Sequence, residues 1–292
     1  MTNGRVLRVG CRATNFHKAQ ASTLLGNLAK VHPEITWDFV DVPATGDDEA
    51  LFELLAAGGF DVYVSAARTL DVNLPDEVDL IACTERGEPF DALISNDGAL
   101  LEDLPEGAAI GVESSRVAVQ LADFRGDLAI QKLGPDVERL VEEWKRGGVA
   151  GFIVAMEDVE VLGWKNVVTE VFPPDVLLPS AGQGAFAFVA RKSDTDAQLA
   201  LEVVDHWTTR QVVLAERAFL RELDVRPSDP VGVHGSFEGD TLVLEALLGD
   251  EISGAILRDD LDGEPAEGAD LGVRLAKLFV ADGARDYLAG YK

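Results

Sequence analysis

Between Arg5 and Val42 an apolar strand, an amphipathic helix and a second apolar strand follow one another. Arg5–Gly10 alternates as a strand, and Lys18–Val31 places Ala19, Leu24, Leu25 and Leu28 on or near one face. Ile35–Val42 reads as the next strand. A strand, helix, strand run is a crossover unit, and crossover units join parallel strands. A parallel sheet needs helices on its faces, so the chain predicts an α/β protein. Ligands of such sheets sit beyond the carboxyl ends of the strands, which draws attention to the loop Gly10–Phe16.

The rest of the chain extends this plan. Asp61–Ser65 and Leu74–Cys83 read as strands, Asp47–Ala57 as a short acidic helix and Ala92–Ser95 as a crossing strand. The polar, turn-rich stretch Asp97–Glu106 is the expected hinge, and Ala108–Val112 begins a second α/β unit that includes the apolar strand Val149–Ala155. Phe172–Pro179 leads back through Pro173-Pro174, and Leu199–Leu223 has helical apolar faces. Val231–Phe237, Thr241–Leu248 and Ile252–Leu257 alternate as three strands, with Glu238-Gly239-Asp240 as a hairpin turn, and Ala269–Tyr287 is an amphipathic helix. A chain that crosses twice between two α/β domains fits a periplasmic-binding-protein-like pair. The expected domains are residues 1–98 with 183–204, residues 99–182, and a small C-terminal α+β domain at 205–292.

With 25 Lys and Arg against 52 Asp and Glu, the formal charge is −27. That field repels nucleic acid and anionic membrane. An acidic ligand would need a local basic cleft, and the acidic excess would suit a high-salt cytoplasm. Cys11 and Cys83 lack disulfide or zinc spacing, and His17, His32, His206 and His234 lack metal-ligand spacing. There is no signal-type apolar stretch after Met1 and no run of membrane-spanning length. The expectation is a cytoplasmic monomer with no metal.

The most legible stretch is Leu178–Arg191, LPSAGQGAFAFVAR, in which a proline-led turn enters Gly182-Gln183-Gly184 and then an alternating strand. Gln183, between two glycines at a strand mouth, is placed to hydrogen-bond a polar ligand. Ala215–Leu223 reads AERAFLREL. Together these segments resemble hydroxymethylbilane synthase, also called porphobilinogen deaminase, where an LPxxGQGA strand precedes an ExAFLRxL helix. The resemblance runs from Leu7 to Leu288, where Gly283-Ala284 and Leu288 match the family's final helix.

The resemblance implies site residues. Arg12 matches an arginine that grips substrate carboxylates, and Thr14 stands where the family has Ser. The planar guanidinium fork suits a carboxylate. Ser65–Asp71, SAARTLD, aligns with His-Ser-Met-Lys-Asp-Val-Pro. Arg68 keeps the charge of that Lys, Thr69 falls on the catalytic Asp, and Asp71 is the candidate substitute acid, on the side of Thr69 where the backbone is extended. Glu85–Ala92 resembles ER-x-x-PRDA with Phe90 in place of Arg. Gly111–Val117 resembles GTSSLRR: Ser114 and Arg116 match, Glu113 and Val117 depart. Arg139 matches a further arginine, and Glu157-Asp158 stand where the family is small and neutral. Pro227 falls on the cysteine that carries the dipyrromethane cofactor, and most of the family's lid has no counterpart near residues 45–59.

The binding set read from the sequence is therefore Arg12, Thr14, Arg68, Ser114, Arg116, Arg139 and Gln183, around a small anionic ligand in an interdomain cleft. With no cysteine at 227, no cofactor is expected. Two functions follow. One is the family reaction of tetrapyrrole biosynthesis, head-to-tail condensation of four porphobilinogens with release of ammonia. The other is a catalytically inactive homologue that binds a small molecule or regulates.

Overall fold

In chain order the strands are β1 (Arg5–Arg12), β2 (Ile35–Val42), β3 (Val62–Ala66), β4 (Val78–Cys83), β5 (Asp91–Ser95), β6 (Ala109–Val112), β7 (Ala129–Lys132), β8 (Gly151–Ala155), β9 (Glu170–Val171), β10 (Phe186–Arg191), β11 (Val231–Glu238), β12 (Thr241–Gly249) and β13 (Ile256–Gly263). The helices are α1 (Asn15–Val31), α2 (Asp48–Ala56), α3 (Ser115–Phe124), α4 (Val137–Lys145), α5 (Met156–Leu162), α6 (Thr195–Leu201), α7 (Trp207–Leu223), α8 (Gly268–Ala281) and α9 (Ala284–Leu288). The computed structural model describes residues 5–12, 15–42, 48–134, 137–226 and 229–288; Thr14 and Pro227 lie outside the described residues.

The chain divides into residues 1–86 with 185–210, and residues 87–184 with 211–292. The first unit carries a sheet of order β2-β1-β3-β10-β4. β1 is parallel to β2, from Arg5 opposite Ile35 to Arg12 opposite Val42, and parallel to β3 through Val9 and Gly10. β10 is antiparallel to both β3 and β4. Leu7, Val9, Val62, Val64 and Phe188 form the core with Ala21 and Leu25 of α1. Each such aliphatic side chain contributes about 1.5–3 kcal/mol by leaving water.

The second unit repeats the plan. Its α/β sheet has the order β7-β6-β8-β5-β9, with β6 parallel to β7 and β8, and β5 antiparallel to β8 and β9. β5 and β8 are buried along their whole length, as strands covered on both faces are. Leu93, Ile110, Val112 and Ile153 pack with Val117 and Leu121 of α3. A separate antiparallel sheet, β11-β12-β13, follows. α8 buries Leu271, Leu275 and Phe279, and the Phe279 ring meets the edge of Phe219 from α7 at 5.1 Å between centroids.

The chain thus has the α/β architecture and the small α+β C-terminal part read from the sequence. Four details differ. The strand expected at Ala92–Ser95, within the residues given to the first domain, is Asp91–Ser95 and pairs in the second sheet. The helix expected over Leu199–Leu223 is two helices, since Val204 N–H and Asp205 N–H close α6 on the Leu201 carbonyl before α7 starts. The helix expected over Ala269–Tyr287 stops at Ala281 and restarts at Ala284, with Gly283 between them at φ 92°. The third C-terminal strand begins at Ile256. Asp250 takes up the preceding residues by accepting from Ile252 N–H at 2.9 Å and from Ser253 Oγ at 2.5 Å, which turns the chain.

Candidate functional site

In the first unit the carboxyl ends of β1 and β3 gather cations. Arg12 is the last residue of β1, half-buried, and its Nε donates to the Tyr63 hydroxyl of β3 at 3.4 Å. His17 projects from the first turns of α1. Burial, and then the charges of Arg12 and Arg68, hold its imidazole below the ordinary histidine range. A cavity of about 10 Å³ is lined by Arg12, His17, Gln20, Tyr63, Ser65 and Phe186, among others. Ser65 is buried, and its hydroxyl has no hydrogen-bond partner among the described residues.

The stretch after β3 is not extended. Ala67–Thr69 forms a 3-10 turn, and the Thr69 hydroxyl donates to the Ala66 carbonyl at 2.9 Å. The alternation that would set Asp71 on the side of Thr69 therefore does not apply. Asp71 is exposed, and its carboxylate accepts the Asn73 N–H at 2.8 Å.

In the second unit the matched residues face inward. Ser114 caps α3 by accepting the Val117 N–H at 3.4 Å. Arg116 is wholly buried; its guanidinium donates to both oxygens of Asp91, at 2.8 and 3.0 Å, and to the Leu178 carbonyl at 2.8 Å. Gln183 donates to Asp91 at 3.1 Å and accepts the Ser180 N–H at 3.2 Å. Arg139 lies exposed on α4. The structure thus sets Arg12 and His17 on one cavity, with the charge of Arg68 also reaching the ring, and joins Arg116 and Gln183 through Asp91.

Three carboxylates collar the glycine-glutamine-glycine loop. Glu216 accepts the Gly182 N–H at 2.6 Å, Asp91 accepts from Gln183, and Glu157 accepts the Gly184 N–H at 2.7 Å. Glu216 also accepts the Gly235 N–H of β11 at 2.8 Å. Gly184 sits at φ 84°, where an added Cβ would lie 3.0 Å from the Pro89 Cα, so both conformation and space require glycine. The sequence shows Glu216 and Glu157 as acids but does not show that they hold backbone amides. The link between the two most legible motifs is this Glu216 carboxylate.

Comparison with known proteins settles the family. Residues 7–199 match the model described as porphobilinogen deaminase, dipyromethane cofactor binding domain, and residues 210–281 match the model described as porphobilinogen deaminase, C-terminal domain. The chain belongs to the porphobilinogen deaminase family. It is 32% identical over 300 residues to a porphobilinogen deaminase of Roseiflexus castenholzii, covering 97% of this chain and 99% of that one. It is 33% identical over 307 residues to one from Acidothermus cellulolyticus, covering 98% and 92%. Among solved structures, a methionine-binding lipoprotein of Bacillus subtilis has a TM-score of 0.43 at 15% identity, over 69% of this chain and 90% of that one. Among the described residues no helix is long and apolar enough to cross a membrane.

Membership corrects one expectation. The absence of a cysteine at 227 led to the expectation of no cofactor, but most of the chain matches the family's dipyrromethane cofactor binding domain. A missing cysteine bears on a covalent link and not on the donors that would meet a ligand's acidic side chains. The residues of the first unit fit the acidic side chains: Arg12, Arg68 and the Ser65 hydroxyl are all donors near one cavity or one imidazole. They do not offer a thiol. Cys11 and Cys83 are both buried, and burial, with the charge of Asp41, pushes the Cys11 thiol up.

Proposed function

We propose that this hydroxymethylbilane synthase-like chain binds pyrroles bearing carboxylate side chains, with Arg12 and Arg68 as the binding cations and His17 within the field of both. The supporting observation is that both guanidiniums act on one imidazole at the carboxyl ends of β1 and β3, in a chain of charge −27. A local basic site in that field selects an anionic small molecule and disfavours nucleic acid. The family reaction, condensation of four porphobilinogens with ammonia release, is the first reading, and a monomer suffices for it.

When bound, a dipyrromethane supplies the pyrrole end from which the chain of pyrroles is extended. Arg12 and Arg68 would hold its carboxylates, and neither buried cysteine would hold it covalently. Asp71, two residues after Thr69 in the sequence, is the candidate for the negative charge that Thr69 lacks. Arg116 and Gln183 serve the scaffold and not the ligand, because Asp91 already accepts from both.

A second reading, binding without turnover, is supported by Thr69, whose hydroxyl is turned to the Ala66 carbonyl and carries no charge. Colorimetric consumption of porphobilinogen by the purified protein separates the two. Consumption that Asp71→Asn abolishes supports the reaction. No consumption, with porphobilinogen still bound, supports the second reading, and absence of binding removes both. Intact mass gives an independent check: a thioether adduct would contradict the account of the cysteines.

A further inference from the structure

Resting on the pyrrole-carboxylate reading, we propose that His17 and Ser65 form the seat of one ligand carboxylate oxygen beside Arg12, and that filling this seat places a proton on His17. The cavity they line is about 10 Å³, room for about one oxygen-sized group. Ser65 is more than nine-tenths buried, lines the cavity, and its hydroxyl has no partner among the described residues. A buried hydroxyl without a partner is uncommon in native proteins and points to a group that completes it. Gln20, also buried, lines the same space.

Among the described residues, Arg12 on β1 and Tyr63 on β3 line the cavity with His17, and the charge of Arg68 in the turn after β3 also reaches the ring. Without an anion, burial and the two guanidiniums keep the ring neutral. A seated carboxylate offsets those charges and favours the imidazolium, which then donates to it. The ligand-bound ring therefore has the higher pKa. Binding takes up a proton between the two values, and affinity falls as pH rises through them.

Calorimetry in two buffers of different ionisation enthalpy tests this, using the pyrrole dicarboxylate that lacks the aminomethyl group and so binds without condensing. The expected result is uptake of a fraction of a proton near pH 6.5, loss of that uptake in His17→Gln, and about tenfold weaker binding in both His17→Gln and Ser65→Ala. Circular dichroism establishes that each variant is folded, and the His17 ring signal in the wild type gives the same answer without any substitution. Binding with no proton uptake, or with uptake kept in His17→Gln, overturns the inference and leaves the pyrrole reading standing. Absence of binding by the wild type overturns both.

Discussion

Arg116 and Asp91 face each other through two hydrogen bonds, 2.8 and 3.0 Å long, with both side chains fully withdrawn from solvent. The pair lies inside the second unit, joining the first turn of α3 to the start of β5. Removing one partner leaves a buried charge with nothing opposite it. Asp91→Ala is expected to lower stability by about 3–5 kcal/mol, while the double change Arg116→Met with Asp91→Leu costs less. Urea midpoints at unchanged m-value measure the difference.

Glu216 is expected to act through its two oxygens separately. One accepts the Gly182 N–H and the other the Gly235 N–H. Glu216→Gln keeps one carbonyl acceptor, so one amide loses its partner at a cost of about 1–3 kcal/mol. Hydrogen exchange should quicken at Gly182 or Gly235 and not at Leu93 in the core; equal protection at both glycines would show that the bonds are not needed.

Asp61 gives a prediction in acid. Burial pushes its carboxyl up, but hydrogen bonds from the Arg8 side chain and backbone, and from Arg191, outweigh this and hold it below the usual carboxylate range. A group with a lowered folded pKa adds stability above its unfolded value, and that stability is lost as pH falls through the folded value. Asp61→Asn is therefore destabilising near neutrality, by about 1–3 kcal/mol. Its melting curve is expected to approach that of the wild type below about pH 4. A gap that stays constant across that range would exclude Asp61 as the titrating group.

Thr69→Asp restores a carboxylate at the position aligned with the family's catalytic acid. Porphobilinogen consumption is expected to rise about 10²-fold. The Thr69 hydroxyl bond to Ala66 is lost in the variant, so a fall in melting temperature accompanies the gain. A rate equal to the wild type's would mean that charge at this place does not limit the chemistry.

Sequence patterning revealed the parallel plan because a buried strand such as β8 is apolar throughout, while α1 between β1 and β2 is apolar on one face only. It revealed the Leu178–Arg191 loop because Gly184 has no substitute at its φ and spacing. It misplaced the third C-terminal strand because Ile252 is apolar yet 84% exposed, and only the Asp250 hydrogen bonds distinguish a turn there from a strand start. The site was half legible. Arg12 and Arg68 carry charge in any alignment, but the commitment of Arg116 and Gln183 to Asp91 depends on contacts between residues far apart in the chain. The same holds for His17 and Ser65, which share a cavity that no local pattern announces.

The double grip of Glu216 has a consequence for how the second unit comes apart. One carboxylate spans a loop and a strand separated by about fifty residues of chain, so opening either one takes a hydrogen bond from the same side chain. The glycine-rich loop, by composition the weakest point for a protease, is thereby tied to the fate of the C-terminal sheet. Cleavage within it is therefore expected to slow when the C-terminal sheet is stabilised.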